Sequence, residues 1–218
     1  RFLNAGHYQP IAAAVSRAAL ADLPRGARAG CLDAGCGEGY YLRQLIAACS
    51  SKLTLAVLGL DISKWAVLSA AKQDPRPNWV VGSNANLPVL SGTLDRVLCM
   101  FGFPVYAEFA RVLKPDGQLL QVDAGPDHLR ELREIIYPTL KPERTAEASV
   151  PKGFVSLSAE TVRYAADITG TEQIADLLAM TPHLYRASAE GRAKAAALTA
   201  LTVTVDVRLT RFGRAAAR

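Results

Sequence analysis

A glycine-rich turn placed directly after a short apolar run constrains this chain more than any other feature. Gly30-Cys31-Leu32-Asp33-Ala34 reads as a buried strand, and Gly35-Cys36-Gly37-Glu38-Gly39 follows it. Glycines at alternate positions let the backbone turn sharply and let a ligand approach it closely. Tyr40–Cys49 then has helical spacing, so the free N–H groups and positive dipole end of a helix face whatever the turn admits. A strand, a glycine turn and a helix in that order open a parallel α/β sheet.

The next hundred residues repeat that alternation. Leu53–Leu60 is nearly all apolar, as a strand covered on both faces should be. Ser63 can cap a helix over Lys64–Gln73, which Pro75 and Pro77 stop. Trp79–Gly82 and Leu94–Phe101 read as third and fourth strands. Ala107–Leu113 reads as a helix, Lys114-Pro115-Asp116-Gly117 as a turn, and Gln118–Asp123 as a fifth strand. Before all of these, Ile11–Leu23 is an Ala-rich helix closed by Pro24-Arg25-Gly26. The pattern predicts a doubly wound parallel sheet whose ligand crevice lies at the carboxyl ends of the strands. Beyond Gly125 it changes: a helix over His128–Tyr137, a polar, proline-broken loop over Pro138–Gly153, a helix over Gly170–Met180, and terminal strand material over Leu201–Leu209.

Composition excludes several classes. Half of the 218 residues are hydrophobic and 21% are charged, enough for a substantial core and too apolar for wholesale disorder. No apolar run reaches the roughly eighteen residues of a membrane span, so no membrane partner is expected. Cys31, Cys36, Cys49 and Cys99 form no CxxC pair, so the expectation is buried free thiols, a reducing cytoplasm and no metal site within this chain. The net charge of +5 permits a nucleic-acid partner without demanding one.

Asp61 ends the second strand, about twenty residues beyond the glycines, where a carboxylate accepts both hydroxyls of a ribose. The alternative is that it only caps the following helix. Gly82-Ser83-Asn84-Ala85 follows the third strand, and Asn84 can donate to and accept from an adenine edge, or serve as an ordinary loop residue. The glycines read G-x-G-x-G; the dinucleotide fingerprint G-x-G-x-x-G needs its last glycine where Tyr40 stands. This disfavours a nicotinamide dehydrogenase. With Asp33 before it and Glu38 inside it, the turn resembles motif I of class I S-adenosylmethionine (SAM) methyltransferases. An amino-acid tail suits such a turn, its carboxylate seeking N–H donors and its ammonium a carboxylate.

Further segments narrow the resemblance. Gly6-His7-Tyr8-Gln9-Pro10, Gly35–Tyr41, Gly59-Leu60-Asp61-Ile62-Ser63-Lys64, Gly125-Pro126-Asp127-His128-Leu129 and Leu177–Pro182 together resemble 23S rRNA guanine-N1 methyltransferases of the RlmA/TlrB type, over nearly the whole chain. The resemblance implies a class I, Rossmann-like fold: a seven-stranded, mostly parallel sheet with helices on both faces. It implies one methyltransferase domain over 1–218, with a helical segment at 1–24, a cofactor-binding core at 25–137, and a loop and sheet-completing part at 138–218. It implies methyl transfer from SAM to N1 of a guanine in a 23S rRNA hairpin loop, and it makes a homodimer an expectation.

The same resemblance places SAM against Tyr8, Gly37, Glu38 and His128, with Asp61 at the ribose; Asp33 and Gly35 of the turn and Asn84 after the third strand complete the expected cofactor set. The alternatives are that Tyr8 is a core aromatic and His128 a helix-start residue without a ligand. Family members usually begin with a four-ligand zinc module; this chain starts at Arg1 without one, so the expectation is a catalytic part of a longer enzyme. Phe101-Gly102-Phe103-Pro104 departs from the family's aromatic–Ala–Pro run, which lines the target-base pocket. Phe101, Phe103, Tyr106 and Tyr137 can stack on a base, and Lys114, Arg130, Arg133, Lys141, Arg144 and Lys152 can track phosphates.

Guanine N1 carries a proton at neutral pH and must lose it around transfer. Glu108, Asp123 and Asp127 stand near strand ends, and the sequence does not rank them as acceptors, so the catalytic base is unassigned. Two other readings keep the same motifs: a SAM-dependent methyltransferase acting on a small molecule, and a non-catalytic RNA-binding module.

Overall fold

The computed structural model describes residues 2–23, 28–50, 53–139 and 149–215. After a 3-10 turn at Leu3–Ala5 come α1 (Gln9–Leu20), β1 (Arg28–Ala34), α2 (Tyr40–Ala48), β2 (Thr54–Asp61), α3 (Lys64–Gln73) and β3 (Asn78–Val81). Then follow β4 (Leu94–Met100), α4 (Tyr106–Val112), β5 (Leu113–Ala124), α5 (Arg130–Ile136) and β6 (Phe154–Thr169). The chain ends with α6 (Thr171–Met180), α7 (His183–Arg186), α8 (Ala189–Ala196) and β7 (Ala200–Arg214). The strands form one mixed, mostly parallel sheet in the order β3-β2-β1-β4-β5-β7-β6. Pairing of β1 with β2 and β4, of β2 with β3, and of β4 with β5 is parallel throughout. No described helix is long and apolar enough to cross a membrane.

The strand–helix alternation expected through residue 123 is present, with one exception. Lys114–Gly117 is not a turn between elements but part of β5. Pairing with β4 steps from Leu94↔Leu113 to Arg96↔Gln118, so the Pro-Asp-Gly stretch is absorbed as a bulge-like irregularity. Beyond that stretch stands β6, a sixteen-residue strand with no counterpart in the expected pattern. It lies last in the sheet order and most of its residues are exposed, including Val155 and Leu157 of the short alternation over Val155–Glu160. The short α7 and the polar α8 were likewise unmarked. The closing turn at 24–26 and residues 140–148 of the expected loop lie outside the described residues.

Two compact units divide the chain. The larger comprises Ile11–Asp123, Ala148–Glu160 and Arg208–Arg218. Its core packs Leu32, Ala34, Leu60, Val97, Cys99, Phe109, Val112, Leu119, Phe154 and Phe212. Arg96 is 3% exposed, yet its guanidinium donates to the carbonyls of Ala19 (2.9 Å) and Ala21 (2.6 Å), satisfying the open end of α1. The smaller unit comprises Arg1–Pro10, Ala124–Glu147 and Thr161–Val207. Leu132, Ile136, Ile174, Leu177, Val203 and Val205 are buried within it. A Cβ at Gly191 would stand 2.1 Å from the Ile136 carbonyl oxygen, so only glycine lets α8 lie this close to α5.

Trp79 shapes the glycine turn from below. Its indole N–H donates to the Asp74 carbonyl at 2.7 Å, and its ring fills the space a Cβ would need at both Gly39 (2.2 Å) and Gly59 (2.3 Å). Gly59→Ala is expected to destabilise the fold by about 1–3 kcal/mol through overpacking. Urea unfolding in wild-type and Trp79→Leu backgrounds checks this. The cost should shrink in the second, and an equal cost in both would assign it elsewhere.

Candidate active site

The carboxyl end of β1 meets the glycine turn. Gly35, Gly37 and Gly39 all have positive φ, at +94°, +54° and +75°, a region that side chains resist. The amides of Gly35 and Cys36 both donate to the Leu60 carbonyl, at 2.8 and 2.9 Å. The Gly37 amide donates to Asp61 Oδ2 at 2.8 Å, and the Ser63 amide to Asp61 Oδ1 at the same distance. Asp61 therefore bolts the turn to the end of β2, and its remaining lone pairs can still accept. Ser63 caps α3 with its own hydroxyl, accepting from Ala66, so Asp61 is not the only cap there.

A Cβ added at Gly35 or Gly37 would meet nothing within 4 Å. The two glycines thus face open space while Gly39 serves packing against Trp79, so the three have different reasons to be glycine. Beside them Asp33 is 1% exposed, and neither carboxylate oxygen has a hydrogen-bond partner among the described residues. Burial, and next the charge of Asp61, push its carboxyl up to about 7. A buried carboxylate without donor or cation is costly, and an ammonium group relieves that cost. Glu38 is exposed next to the turn, and its backbone carbonyl accepts from Arg43.

Asn84 has a structural task in addition to any ligand. Its amide N–H groups donate to the carbonyls of Phe103 (3.3 Å) and Ala34 (3.5 Å), tying the loop after β3 to those after β4 and β1. Its carbonyl oxygen is buried with no hydrogen-bond partner among the described residues, so it keeps the acceptor half of an adenine-edge pairing. Asp33, Gly35, Gly37, Asp61 and Asn84 thus share the strand-end region of the larger unit.

Tyr8 and His128 meet within the smaller unit. The Tyr8 hydroxyl lies 3.0 Å from His128 Nε2, and the Asp206 amide donates to His128 Nδ1 at 3.3 Å. An accepting Nδ1 leaves the neutral ring's proton on Nε2, pointed at Tyr8. Burial, chiefly, lowers His128 to about 4, so the neutral ring prevails at pH 7. Burial also raises the Tyr8 phenol. Gly125 of the same segment is required by contact, because a Cβ there would stand 2.4 Å from an Asp206 carboxylate oxygen. Leu129 holds φ +53°, and its backbone N–H donates a hydrogen bond to the Thr204 carbonyl at 2.7 Å.

The candidate acids and bases now separate. Glu108 receives Arg111 on both oxygens and the Leu87 amide, which hold its carboxyl down at about 2. Asp127 is lowered by Arg163 and Arg130. Lys114 is bound to Asp95 at 2.8 Å and Arg130 to Asp127 and Glu134, so neither is an unengaged phosphate contact; Lys141 and Arg144 lie outside the described residues. Phe103 is 91% exposed and so is not a core residue, while Phe101 takes φ +54°, a strained value for an aromatic residue at a strand end. Tyr137 is engaged with His183 Nδ1 at 2.9 Å. Cys31, Cys36 and Cys99 are buried free thiols, Cys49 only half-buried, and burial pushes Cys99 up to about 12. Trp79 and Gln121 bear on the site without any marking in the sequence.

A model of the methyltransferase domain matches residues 31–117. A Micromonospora griseorubida protein named "Putative 23S rRNA (guanine-N(1)-)-methyltransferase" is 34% identical over 97% of this chain and 76% of its own length. A Bacillus subtilis (strain 168) protein with that name and a further gene designation is 33% identical, over 81% of this chain and 64% of its own. A geranyl diphosphate methyltransferase solved in complex with SAM has TM-score 0.55 at 15% identity, covering 94% of this chain and 85% of that one. The chain belongs to the class I SAM-dependent methyltransferases, and SAM is its cofactor. Within that class it falls in the family of the Micromonospora protein.

Asp33 ties the site to pH. Because its folded pKa is raised, the folded state holds more protons than the unfolded chain between about pH 4 and pH 7, and stability of the cofactor-free protein falls as pH rises through that window. Asp33→Asn is expected to flatten the slope. Denaturation midpoints measured from pH 4 to pH 8 check this, and parallel profiles for both proteins would contradict it.

Proposed function

We propose that this chain transfers the methyl group of SAM to N1 of a guanine in a hairpin loop of 23S rRNA. The observation that carries the reading is the match to the Micromonospora protein along 97% of the chain, because it extends well past the cofactor-binding residues. The small-molecule alternative shares only the cofactor motifs. Phe103, almost fully exposed in the loop after β4, supplies the sort of aromatic surface on which a splayed base stacks. Removing a loop guanine from its stack costs a few kcal/mol, which stacking offsets.

SAM supplies an activated methyl group; the chain's residues bind, orient and handle the proton. In this reading Gly35 and Gly37 admit the cofactor against the backbone, Asp33 faces its ammonium, Asp61 takes the ribose hydroxyls and Asn84 offers its free carbonyl to the adenine. Glu38, Tyr8 and His128 join the cofactor set on the resemblance. Alignment of N1 with the methyl carbon and sulfur is then the main contribution of the fold.

Asp61→Ala is expected to weaken SAM binding tenfold or more, through lost charge-assisted bonds of about 1.5–3 kcal/mol each and release of the Gly37 amide. Calorimetry checks this; unchanged affinity removes Asp61 from the site. Tritium from labelled SAM should enter 23S rRNA and produce one new primer-extension stop at a hairpin guanine. Label confined to small molecules would favour the alternative.

A further inference from the structure

We propose that Asp123 is the catalytic base, accepting the N1 proton of the guanine through its Oδ1 atom, with Gln121 as its positioning residue. The inference rests on the proposed acceptor, a ring nitrogen that must lose a proton to be methylated.

Asp123 stands near the carboxyl end of β5, beside the carboxyl end of β4. Met100 pairs with Val122, and the Phe101 amide donates to the Val122 carbonyl at 2.8 Å, so Asp123 directly follows the point where the aromatic loop leaves the sheet. Strand alternation puts Gln121 and Asp123 on one face, and a chain of hydrogen bonds runs along it. The Tyr106 hydroxyl donates to Gln121 Oε1 at 3.1 Å, and Gln121 Nε2 donates to Asp123 Oδ2 at 2.8 Å. The amide is thereby fixed in one orientation, and one carboxylate oxygen is held while Oδ1 has no hydrogen-bond partner among the described residues. Asp123 is itself exposed, so that oxygen is accessible.

Its rivals lack this openness. Glu108 spends both oxygens on Arg111 and the Leu87 amide, and Asp127 is bound by two arginines. The groups facing Asp123 are Gln121 on its own strand, Tyr106 on α4, Cys99 on β4 and Arg208 on β7. Burial raises the carboxyl above its ordinary range, while Gln121 and Arg208 draw it down, so the carboxylate is a stronger base than a solvated aspartate. In the step, the N1–H bond breaks with its electron pair left on nitrogen, and that pair forms the new N1–C bond. The proton goes to Asp123 and then to water, while the sulfur keeps the electron pair of the bond it loses.

The test compares wild type, Asp123→Asn and Gln121→Leu on a 23S rRNA hairpin transcript with SAM, over pH 5 to 9. Asp123→Asn should lower kcat by about 10²–10⁴-fold and lose the acidic limb of the profile, with SAM affinity and melting temperature unchanged. Gln121→Leu should move that limb to higher pH, because its amide favours the charged carboxylate. Carbon-13 titration of the protein alone should assign a raised carboxyl to Asp123, raised further by Gln121→Leu. Wild type active with Asp123→Asn matching it overturns the assignment alone. Wild type that methylates no guanine in the transcript overturns the functional reading and the role of Asp123 with it.

Discussion

Four backbone amides and one carboxylate hold the site together. Gly35 and Cys36 give their N–H groups to the Leu60 carbonyl, Gly37 gives its own to Asp61, and Ser63 closes the other side of the same carboxylate. The turn can pass so close to β2 because Gly35, Gly37 and Gly39 take positive-φ backbone conformations that side chains resist. Everything that reads as cofactor chemistry depends on this tie. It opens space above Gly35 and Gly37, lays Gly39 and Gly59 on Trp79, and leaves Asp33 buried beside Asp61 with no donor of its own. A fold rarely keeps such a carboxylate without use, and recognition of a cation is the use proposed for it.

Much of this was legible in the sequence, for physical reasons. The strands β1, β2 and β4 read as apolar runs because neighbours cover them, and the glycine turn with Asp61 reads as a ligand site because few other functions need both. Asp61 and Asn84 were marked as ligand groups, yet each is also a strut, Asp61 between turn and β2, Asn84 between three loops. A motif reports that a residue matters and not how many partners it serves. What was not legible depends on exposure or distance. β6 has only a short alternation of Val155, Leu157 and Ala159 with polar neighbours, and it is exposed along most of its length. Lys114–Gly117 has the composition of a turn, and only pairing with β4 makes it strand. Glu108, Asp123 and Asp127 looked alike until their partners were known; Arg111, Arg163 and Arg130 separate them.

Histidine and carboxylates divide the work by environment. His128 is buried and kept neutral, its tautomer set by the Asp206 amide, so it serves as a donor to Tyr8 rather than as a charge. Asp33 is raised because it is buried without a partner, Asp123 because protein surrounds an open strand end. The same physics that raises a group's pKa marks it as unfinished, ready for an ammonium in one case and a proton in the other.

The claim on which the account turns is that Asp33 completes the cofactor site by ionising against an ammonium group. Calorimetric titration of SAM into the protein at pH 6, repeated in buffers of different ionisation enthalpy, measures this directly. With Asp33 protonated in the free protein, binding should release close to one proton, and Asp33→Asn should abolish the release. Binding whose heat is the same in every buffer at that pH would contradict the account.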